Sequence, residues 1–389
     1  MKDLRILQVS AYYPPHLGGQ EVAVQELATQ LAAAGEYVEV VSSDLGGRRG
    51  TAAESGVRVT RLKSWELGHS AVMFGLFWWF IKNVKRDTLV HLHFGQFFTS
   101  EIVWIASKVI GFNYIIQMHT DPVPSGPLGK LLPVYRRLFF GRELRDASLV
   151  IVLNDAHRRV VAERYGRCEN VVIMRNGVGP EFFHTARCAN GSNAIELVYA
   201  GRLGPGKNLD RLIKAVGVAD AKVTLHLIGD GEYREALEEA ARSEAADSVV
   251  FHGRLSRDEI RCFYARCDGF VLPSLYEAQP LSLLEAMACR VPAITTNVVG
   301  LGELADCTIV VDTSVEGLAS GIDRLARMPA SGKADLVERA FQRAQDHGWS
   351  RVLDSYIRLY RSVSPSLPPS EHHTLRIRGR RVKRGVRGH

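Results

Sequence analysis

The stretch ELVYAGRLGPGKNLDRLIKA (Glu196–Ala215) contains an apolar strand, a loop rich in Gly and Pro, and a helical segment. Similar strands alternate with helical segments along most of the chain. They are LRILQVS, YVEVVSS, TLVHLHF, NYIIQMH and LVIVLN before this stretch, and VTLHLIGDG, SVVFHG, GFVLPS, PAITT and TIVVD after it. Near-continuous apolar strands separated by helices predict a parallel sheet with both faces covered. The sequence therefore predicts an α/β fold.

The alternation pauses once, at the small and polar segment HTARCANGSNAI (His184–Ile195), which is typical of a linker. A chain of 389 residues also suggests two domains. We expect two doubly wound, Rossmann-like domains at residues 1–185 and 186–348, with the boundary near Asn190 and a cleft between them. Residues 349–362 have helical spacing, and we expect this last helix to pack back on the first domain.

The net charge of +7 comes from the end of the chain. Seven cations and no acid lie in His372–His389, and they account for the whole excess. They are Arg376, Arg378, Arg380, Arg381, Lys383, Arg384 and Arg387. The rest of the chain is balanced, which gives no argument for nucleic-acid binding. The basic tail at 363–389 is predicted to be disordered, and it is either solvated or attracted to anionic lipid headgroups.

The six cysteines form no CxxC pair, and no Cys/His set has zinc spacing. The first residues, MKDLRILQVS, indicate a strand and not an export signal. Both observations favour a cytoplasmic protein. The longest apolar run, AVMFGLFWWFI (Ala71–Ile81), is about half of the ~20 residues that span a bilayer. It predicts a core helix or a membrane-touching helix followed by Lys82, Lys85 and Arg86, which would make the protein peripheral on the inner membrane face.

Two glutamates lie eight residues apart in PSLYEAQPLSLLEAMACRVPAI (Pro273–Ile294). Pro280 suits the first turn of a helix, so Glu277 should lie in the loop at the carboxyl end of a strand and Glu285 one to two turns into the helix. Ligands of parallel sheets bind at this edge. The carboxylates either accept hydrogen bonds from the hydroxyls of a sugar nucleotide, or they are a solvated loop residue and a partner of the helix dipole.

Two cations, Arg202 and Lys207, lie in the Gly/Pro-rich loop of the stretch quoted first. On the cleft side of a strand–helix junction they suit a diphosphate, because Arg binds in a fork and Lys acts as a point charge. The alternative is a solvated basic loop. The loop lacks the G-x-x-x-x-G-K-[ST] pattern, and no G-x-G-x-x-G follows any strand, so NTPase and dinucleotide-binding functions lose support.

GRLGPGK, LIGDGEYREAL, VVFHGRLSRDEI and LPSLYEAQPLSLLEAMACRVPAITT, in that order and spacing, resemble the GT-B glycosyltransferases of family 4. YYPPHLGGQEVAVQELATQLAAAGEYVEVV is similar to that family's first strand, glycine loop and helix, and VVIMRNGV to its last segment before the hinge. The resemblance covers residues 1–362. It implies the GT-B fold, with an acceptor-binding first domain, a nucleotide-sugar-binding second domain, and chemistry without a metal or other cofactor.

The resemblance also implies the roles of four donor-site residues. Glu277 would hold hydroxyls of the transferred sugar, and Glu285 would hold the nucleotide ribose. Arg202 and Lys207 would neutralise the diphosphate as its bond to the sugar breaks. The sequence departs from the family pattern at Ala278–Gln279, where Gly and an aromatic residue or Leu are frequent, and the Gln could alter donor preference.

In the first domain, the resemblance implies that Gly18 and Gly19 let the N-terminus of the first helix approach the donor phosphate or the acceptor. His119, in QMHTD at the carboxyl end of a strand, matches the active-site histidine of the family. Without the resemblance, a core histidine would be the simpler interpretation. His91 and His93 lie two apart on one strand, as metal ligands do, but no third ligand is evident, and we interpret them as structural or cleft-lining.

The function implied is retaining transfer of a hexose-type sugar from a UDP- or GDP-sugar to a hydroxyl. The acceptor is a glycan, a polyol or a lipid-linked molecule, in cell-surface glycan or glycolipid synthesis. One alternative is a nucleotide-sugar epimerase or an inverting transferase, against which the Glu277–Glu285 pair argues. Another is a non-catalytic sugar-nucleotide-binding protein, which we would expect to lack Glu277, Arg202 or Lys207.

Overall fold

The computed structural model describes residues 5–16, 18–67, 70–94, 97–119, 139–166, 170–188 and 193–364. These residues form two mainly parallel sheets, each with helices on both faces, and the predicted α/β fold class with two doubly wound sheets is confirmed. The predicted boundary at Asn190 lies outside the described residues, as do all but the first two residues of the predicted tail.

The described residues of the first half build an eight-stranded sheet and a separate hairpin. The strands are β1 (Arg5–Ser10), β2 (Tyr37–Ser43), β3 (Gly50–Glu54), β4 (Val57–Leu62), β5 (Ser64–Leu67), β6 (Ser70–Met73), β7 (Leu89–Phe94), β8 (Tyr114–Met118), β9 (Leu149–Val152) and β10 (Val171–Ile173). The sheet order is β10-β9-β8-β7-β1-β2-β4-β3, and β3 alone pairs antiparallel. The hairpin consists of β5 and β6.

The helices that the structure describes in this half connect and cover the strands. They are α1 (Gly19–Ala33), α2 (Leu76–Asn83), α3 (Thr99–Ile110), α4 (Gly141–Asp146), α5 (Asp155–Tyr165) and α6 (Pro180–Phe183). Every residue of the central strand β7 is buried, polar ones included. A strand that is covered on both faces reads as an apolar run, so its buried histidines are exceptions that need hydrogen-bond partners.

The second half builds a six-stranded sheet of order β13-β12-β11-β14-β15-β16, in which all pairs are parallel. Its strands are β11 (Ile195–Ala200), β12 (Val223–Ile228), β13 (Val249–Gly253), β14 (Gly269–Leu272), β15 (Ala293–Thr296) and β16 (Ile309–Val311). Its helices are α7 (Leu209–Val218), α8 (Arg234–Glu244), α9 (Arg257–Arg266), α10 (Leu281–Ala288), a 3-10 helix (Val299–Cys307), α11 (Val315–Arg327) and α12 (Ala330–Gln345).

The last helix that the structure describes, α13 (Trp349–Val363), leaves the second sheet and returns to the first. It buries Trp349, Val352, Tyr356 and Tyr360, which lie at helical spacing, in the core that β1 and α1 also form. Strand order in the first sheet places β1 at its centre. Helix α13 therefore completes the core of the half in which the chain begins.

The apolar run Ala71–Ile81 is not one helix, which corrects the sequence-based expectation. Its first residues belong to β6, Gly75 takes a left-handed conformation at φ 82°, and α2 begins after it. Short apolar runs have no periodicity that separates a strand from a helix. Leu76 and Phe80 are buried, whereas Trp78 is 72% exposed. Among the helices that the structure describes, none has the length and hydropathy of a membrane span.

Candidate functional site

The site lies where loops at the carboxyl ends of strands from both halves meet. The loop after β14 contacts the first half directly. Asn154, the N-cap of α5, donates from its amide to the carbonyls of Ala278 and Gly300, at 2.5 and 2.9 Å. Gln279 accepts from the backbone N–H of Asn176 at 2.6 Å. These bonds hold the Glu277 loop against the first half, at the edge where α/β sheets bind ligands.

Glu277 and Lys207 lie together, as the proposed donor site requires. Lys207 Nζ is 2.7 Å from Glu277 Oε1, and Ser274 Oγ donates to the same oxygen at 2.7 Å. The two loops are also joined by a backbone bond of 2.8 Å from the N–H of Leu275 to the carbonyl of Gly206. A cation and a carboxylate thus lie side by side, so a phosphate and a neighbouring sugar hydroxyl would both find partners there.

Arg202 lies in the same loop as Lys207 but makes a different pair. Its guanidinium contacts the carboxylate of Glu232 at 3.0 Å, and its side chain is 51% exposed. It also faces the first half. Burial and Glu66 raise the pKa of the Tyr12 phenol, and the charge of Arg202 opposes that rise. The charge of Arg202, in the second half, therefore acts on a residue of the first half.

Glu285 is placed apart from Glu277, in a cluster that the sequence did not reveal. It is 9% exposed, and its Oε1 lies 3.1 Å from Arg257 Nη2. Arg257 also contacts Glu26 of α1, and Glu26 accepts from Trp349 Nε1 at 3.1 Å. Burial raises the pKa of Glu285 to about 7, although Arg257 acts to lower it. Arg257 thus links Glu285, which is predicted to bind the nucleotide ribose, to the first half.

Gly18 and Gly19 begin α1, with Gly18 as an extended N-cap. The carboxylate of Glu21 covers Gly18 so closely that a Cβ there would collide with it. Glu21 is buried, and its Oε1 lies 3.2 Å from His16 Nδ1. The helix dipole stabilises a carboxylate in this position. That carboxylate would repel a phosphate and would accept hydrogen bonds from hydroxyls.

His119 follows β8 directly and is 6% exposed. Its Nε2 lies 3.0 Å from His93 Nδ1, and burial lowers its pKa to about 3, with a further contribution from His157. His91 instead bonds Tyr360 of α13 at 2.7 Å. Within the described part of the chain, no three potential ligands form a metal site.

Comparisons with known proteins agree with this arrangement. The family model described as Glycosyltransferase Family 4 matches residues 17–182, and the one described as Glycosyl transferases group 1 matches residues 194–328. Glycogen synthase of Mycobacterium tuberculosis (strain CDC 1551) is 25% identical, with 95% of this chain and 99% of that protein covered.

A GDP-mannose-dependent alpha-(1-6)-phosphatidylinositol dimannoside mannosyltransferase of the same organism is 26% identical, with 91% and 95% covered. Among solved structures, Anabaena HepE in complex with UDP-glucose has a TM-score of 0.75 at 19% identity, with 92% of this chain and 100% of that chain covered. The fold, the site and the matches to both halves lead to one conclusion. The chain is a glycosyltransferase and belongs to the GT-B glycosyltransferases of family 4.

Proposed function

We propose that this glycosyltransferase moves a hexose-type sugar from a UDP- or GDP-sugar to a hydroxyl acceptor, with retention of configuration and without a metal or other cofactor. The observation that carries the proposal is the Lys207–Glu277 pair at the junction of the two halves, 2.7 Å apart. Such a pair suits a ligand in which an anionic leaving group adjoins a hydroxyl-bearing ring, which describes a nucleotide sugar.

In the proposed reaction, the bond between the anomeric carbon and the diphosphate oxygen breaks, and a bond from that carbon to the acceptor oxygen forms. Arg202 and Lys207 stabilise the charge that develops on the diphosphate. Glu277 holds the sugar as it gains positive character, and Glu285 holds the ribose. The acceptor attacks on the face that the diphosphate leaves, and its proton passes to the departing phosphate.

The acceptor side of the proposed site is the N-terminus of α1. Glu21 is buried there beside His16, and the Tyr12 and His16 rings stack with centroids 4.2 Å apart. Gly18 leaves room for the Glu21 carboxylate. Of the two partners expected for Gly18 and Gly19, an acceptor hydroxyl therefore fits better than the donor phosphate. His119 would accept a hydrogen bond at the carboxyl end of β8.

The names of relatives and neighbours are consistent with either GDP or UDP as the nucleotide of the donor. The mannosyltransferase uses GDP-mannose by name, and HepE was solved with UDP-glucose. A panel of UDP-, GDP- and ADP-sugars should therefore be read by thermal shift. A ligand at ~100 times its dissociation constant should stabilise the fold by about 2.7 kcal/mol. Nucleoside monophosphates serve as controls, because they lack the second phosphate that Arg202 and Lys207 would bind.

The donor that stabilises the protein should then be incubated without acceptor. Slow release of nucleotide diphosphate and free sugar is expected of a transferase. Stabilisation without any release, with or without candidate acceptors, would indicate a binding protein. A product in which the sugar has inverted at another carbon would indicate an epimerase. If no nucleotide sugar stabilised the fold, the proposal would be wrong.

We further propose a lipid-linked acceptor and peripheral attachment to an anionic membrane at its cytoplasmic face, in glycan or glycolipid synthesis. The support is an apolar surface formed by the β5–β6 hairpin and α2, here called the aromatic surface. Its exposed side chains are Trp65, Leu67, Phe74, Trp78 and Ile81. The Trp65 and Phe74 rings are in contact, with centroids 5.0 Å apart. Exposed Lys82, Lys85 and Arg86 adjoin it.

The hairpin that carries the aromatic surface adjoins the site. Tyr12, at the carboxyl end of β1, donates to Glu66 of β5 at 3.2 Å, and Glu66 lies between Trp65 and Leu67. A lipid held on this surface would therefore have its headgroup close to the loops of the first domain. Aromatic residues are suited to the membrane interface, and each nearby cation adds about 1 kcal/mol of attraction to anionic lipid.

Replacing Trp65 and Trp78 by Ser should abolish sedimentation with vesicles that contain phosphatidylserine, because the two side chains are the most exposed of the aromatic surface. Binding of the natural protein should weaken as salt rises. Val218→Ser, at an exposed apolar position of the second domain, is the matched control and should bind normally. Sedimentation that the Trp changes leave intact would contradict the assignment of this surface, and an unchanged result after deletion of His372–His389 would exclude the tail as the second anchor.

A further inference from the structure

A chain of buried hydrogen bonds crosses three adjacent strands and ends at His119. It begins at Gln8 of β1, whose Oε1 lies 3.2 Å from His93 Nε2. His93 of β7 continues it, with Nδ1 3.0 Å from His119 Nε2. Gln8 is fully buried, and His93 and His119 are nearly so. The strands are neighbours in the sheet, so the backbone fixes the spacing of the three side chains.

The chemistry of these atoms determines where the protons lie. An amide oxygen only accepts hydrogen bonds, so His93 Nε2 carries the proton. A neutral imidazole has one donor and one acceptor nitrogen, so His93 Nδ1 has the lone pair. His119 Nε2 must then donate to it, which leaves the lone pair of His119 on Nδ1. Burial lowers the pKa of His93 far below its usual value and that of His119 to about 3, so both rings are neutral near pH 7.

We propose that His93 and Gln8 are positioning residues that fix His119 as its Nε2–H tautomer, so that Nδ1 is presented as a hydrogen-bond acceptor to a hydroxyl of the reactants. This inference rests on the proposed function, in which His119 belongs to the active site. It assigns His119 the role of an acceptor and excludes that of a charged proton donor. A positioning partner of a catalytic histidine acts through the tautomer that it selects.

His91 provides an internal comparison. It lies on the same strand, with its ring centroid 4.3 Å from that of His93, but it bonds Tyr360 and not His119. Loss of that bond should disturb the packing of α13 and leave the Gln8–His93–His119 hydrogen-bond chain intact. Tyr360→Phe is therefore a control, because it also removes a buried hydrogen bond but does not interrupt this chain.

The test is a long-range ¹H–¹⁵N correlation spectrum of the full chain labelled at histidine, with the His119 signals assigned from their loss in His119→Asn. We expect a protonated Nε2 and an unprotonated Nδ1 from pH 6 to 8. Gln8→Met removes the acceptor at nearly the same volume. It should mix the tautomers of His119 and lower kcat about tenfold, the worth of one such hydrogen bond, with a smaller change in the donor KM.

His93→Asn should retain the His119 tautomer and kcat better than His93→Phe does, because the amide oxygen of Asn can take the place of His93 Nδ1. Tyr360→Phe should keep the tautomer and kcat even if it lowers the melting temperature. An Nδ1-protonated His119, the state that a reversed Gln8 amide would impose, would overturn the proposal, and so would an unchanged tautomer in Gln8→Met. The spectra do not depend on turnover, so failure of the proposed function would appear separately, as absence of transfer with the tautomer as expected.

Discussion

Replacement of Arg202 or Lys207 by Ala should lower kcat/KM by at least about 10²–10³-fold, the usual cost of removing a preorganised stabilising donor. Each cation is proposed to stabilise the diphosphate as its bond to the sugar breaks. The side chain of Arg202 is 51% exposed and that of Lys207 is 26% exposed, so neither change should unfold the protein. Steady-state kinetics with the donor, together with thermal melting, would measure both effects.

Arg211 supplies the control, because it is an exposed cation on α7, the helix that follows the loop of Arg202 and Lys207, and it donates to the carbonyl of Thr313 at 3.0 Å. Arg211→Ala should keep nearly full activity. Arg202→Lys keeps the charge but loses the planar fork, so its rate should fall between those of the natural protein and Arg202→Ala. Turnover near the natural value in both Ala variants would rule out stabilisation of the diphosphate by Arg202 and Lys207.

Glu277→Gln should depress kcat strongly while the nucleotide diphosphate still binds. The substitution keeps the shape of the side chain and removes the charge that is proposed to face the sugar as it becomes positive. Lys207 and Ser274 both bond the same carboxylate oxygen, so the amide would be held in a similar place. Glu338→Gln, at an exposed carboxylate that pairs with Arg290, is a control that should change nothing.

Glu285→Gln should behave differently, because contacts to the ribose change little along the reaction. It should raise KM more than it lowers kcat, and it should weaken binding of the nucleotide diphosphate. With a pKa of about 7, Glu285 should lose its negative charge as the pH falls below 7, and nucleotide affinity should fall with it. The Gln variant should lack this part of the pH dependence.

The measurements for the two glutamates are kcat, the donor KM, and the dissociation constant of the diphosphate. If Glu277→Gln lost diphosphate affinity while Glu285→Gln kept it, the two roles would have to be exchanged. If neither variant changed any of the three quantities, the pair would be structural and the proposed function would lose its main support.

The fold class and the positions of Lys207 and Glu277 in loops at strand ends were predictable because their signals are local. Apolar strands alternate with helices, and a charged residue at the end of a buried strand stands out in the sequence. Arg257 gave no such signal, because an arginine in the first turn of an amphipathic helix is ordinarily solvated. Its contacts with Glu26 and Glu285 join segments that are far apart in the chain, and only the tertiary structure brings them together.

The histidines illustrate the same limit. His91 and His93 are two residues apart, and the sequence could offer only a shared strand face and a weak metal interpretation. The structure gives them different hydrogen-bond partners, because His91 bonds Tyr360 of α13 and His93 bonds His119. Likewise, the break within Ala71–Ile81 depends on the left-handed Gly75, and a glycine within an apolar run does not reveal its conformation.

The return of α13 to the first sheet has a consequence for synthesis on the ribosome. Tyr356 and Tyr360 fill a slot beside Gln117 and His91, and they are among the last described residues to leave the exit tunnel. At ~5–20 residues per second, that slot stays open for on the order of ten seconds or more while the second domain is made. The domain that begins to fold first is therefore the one that finishes last.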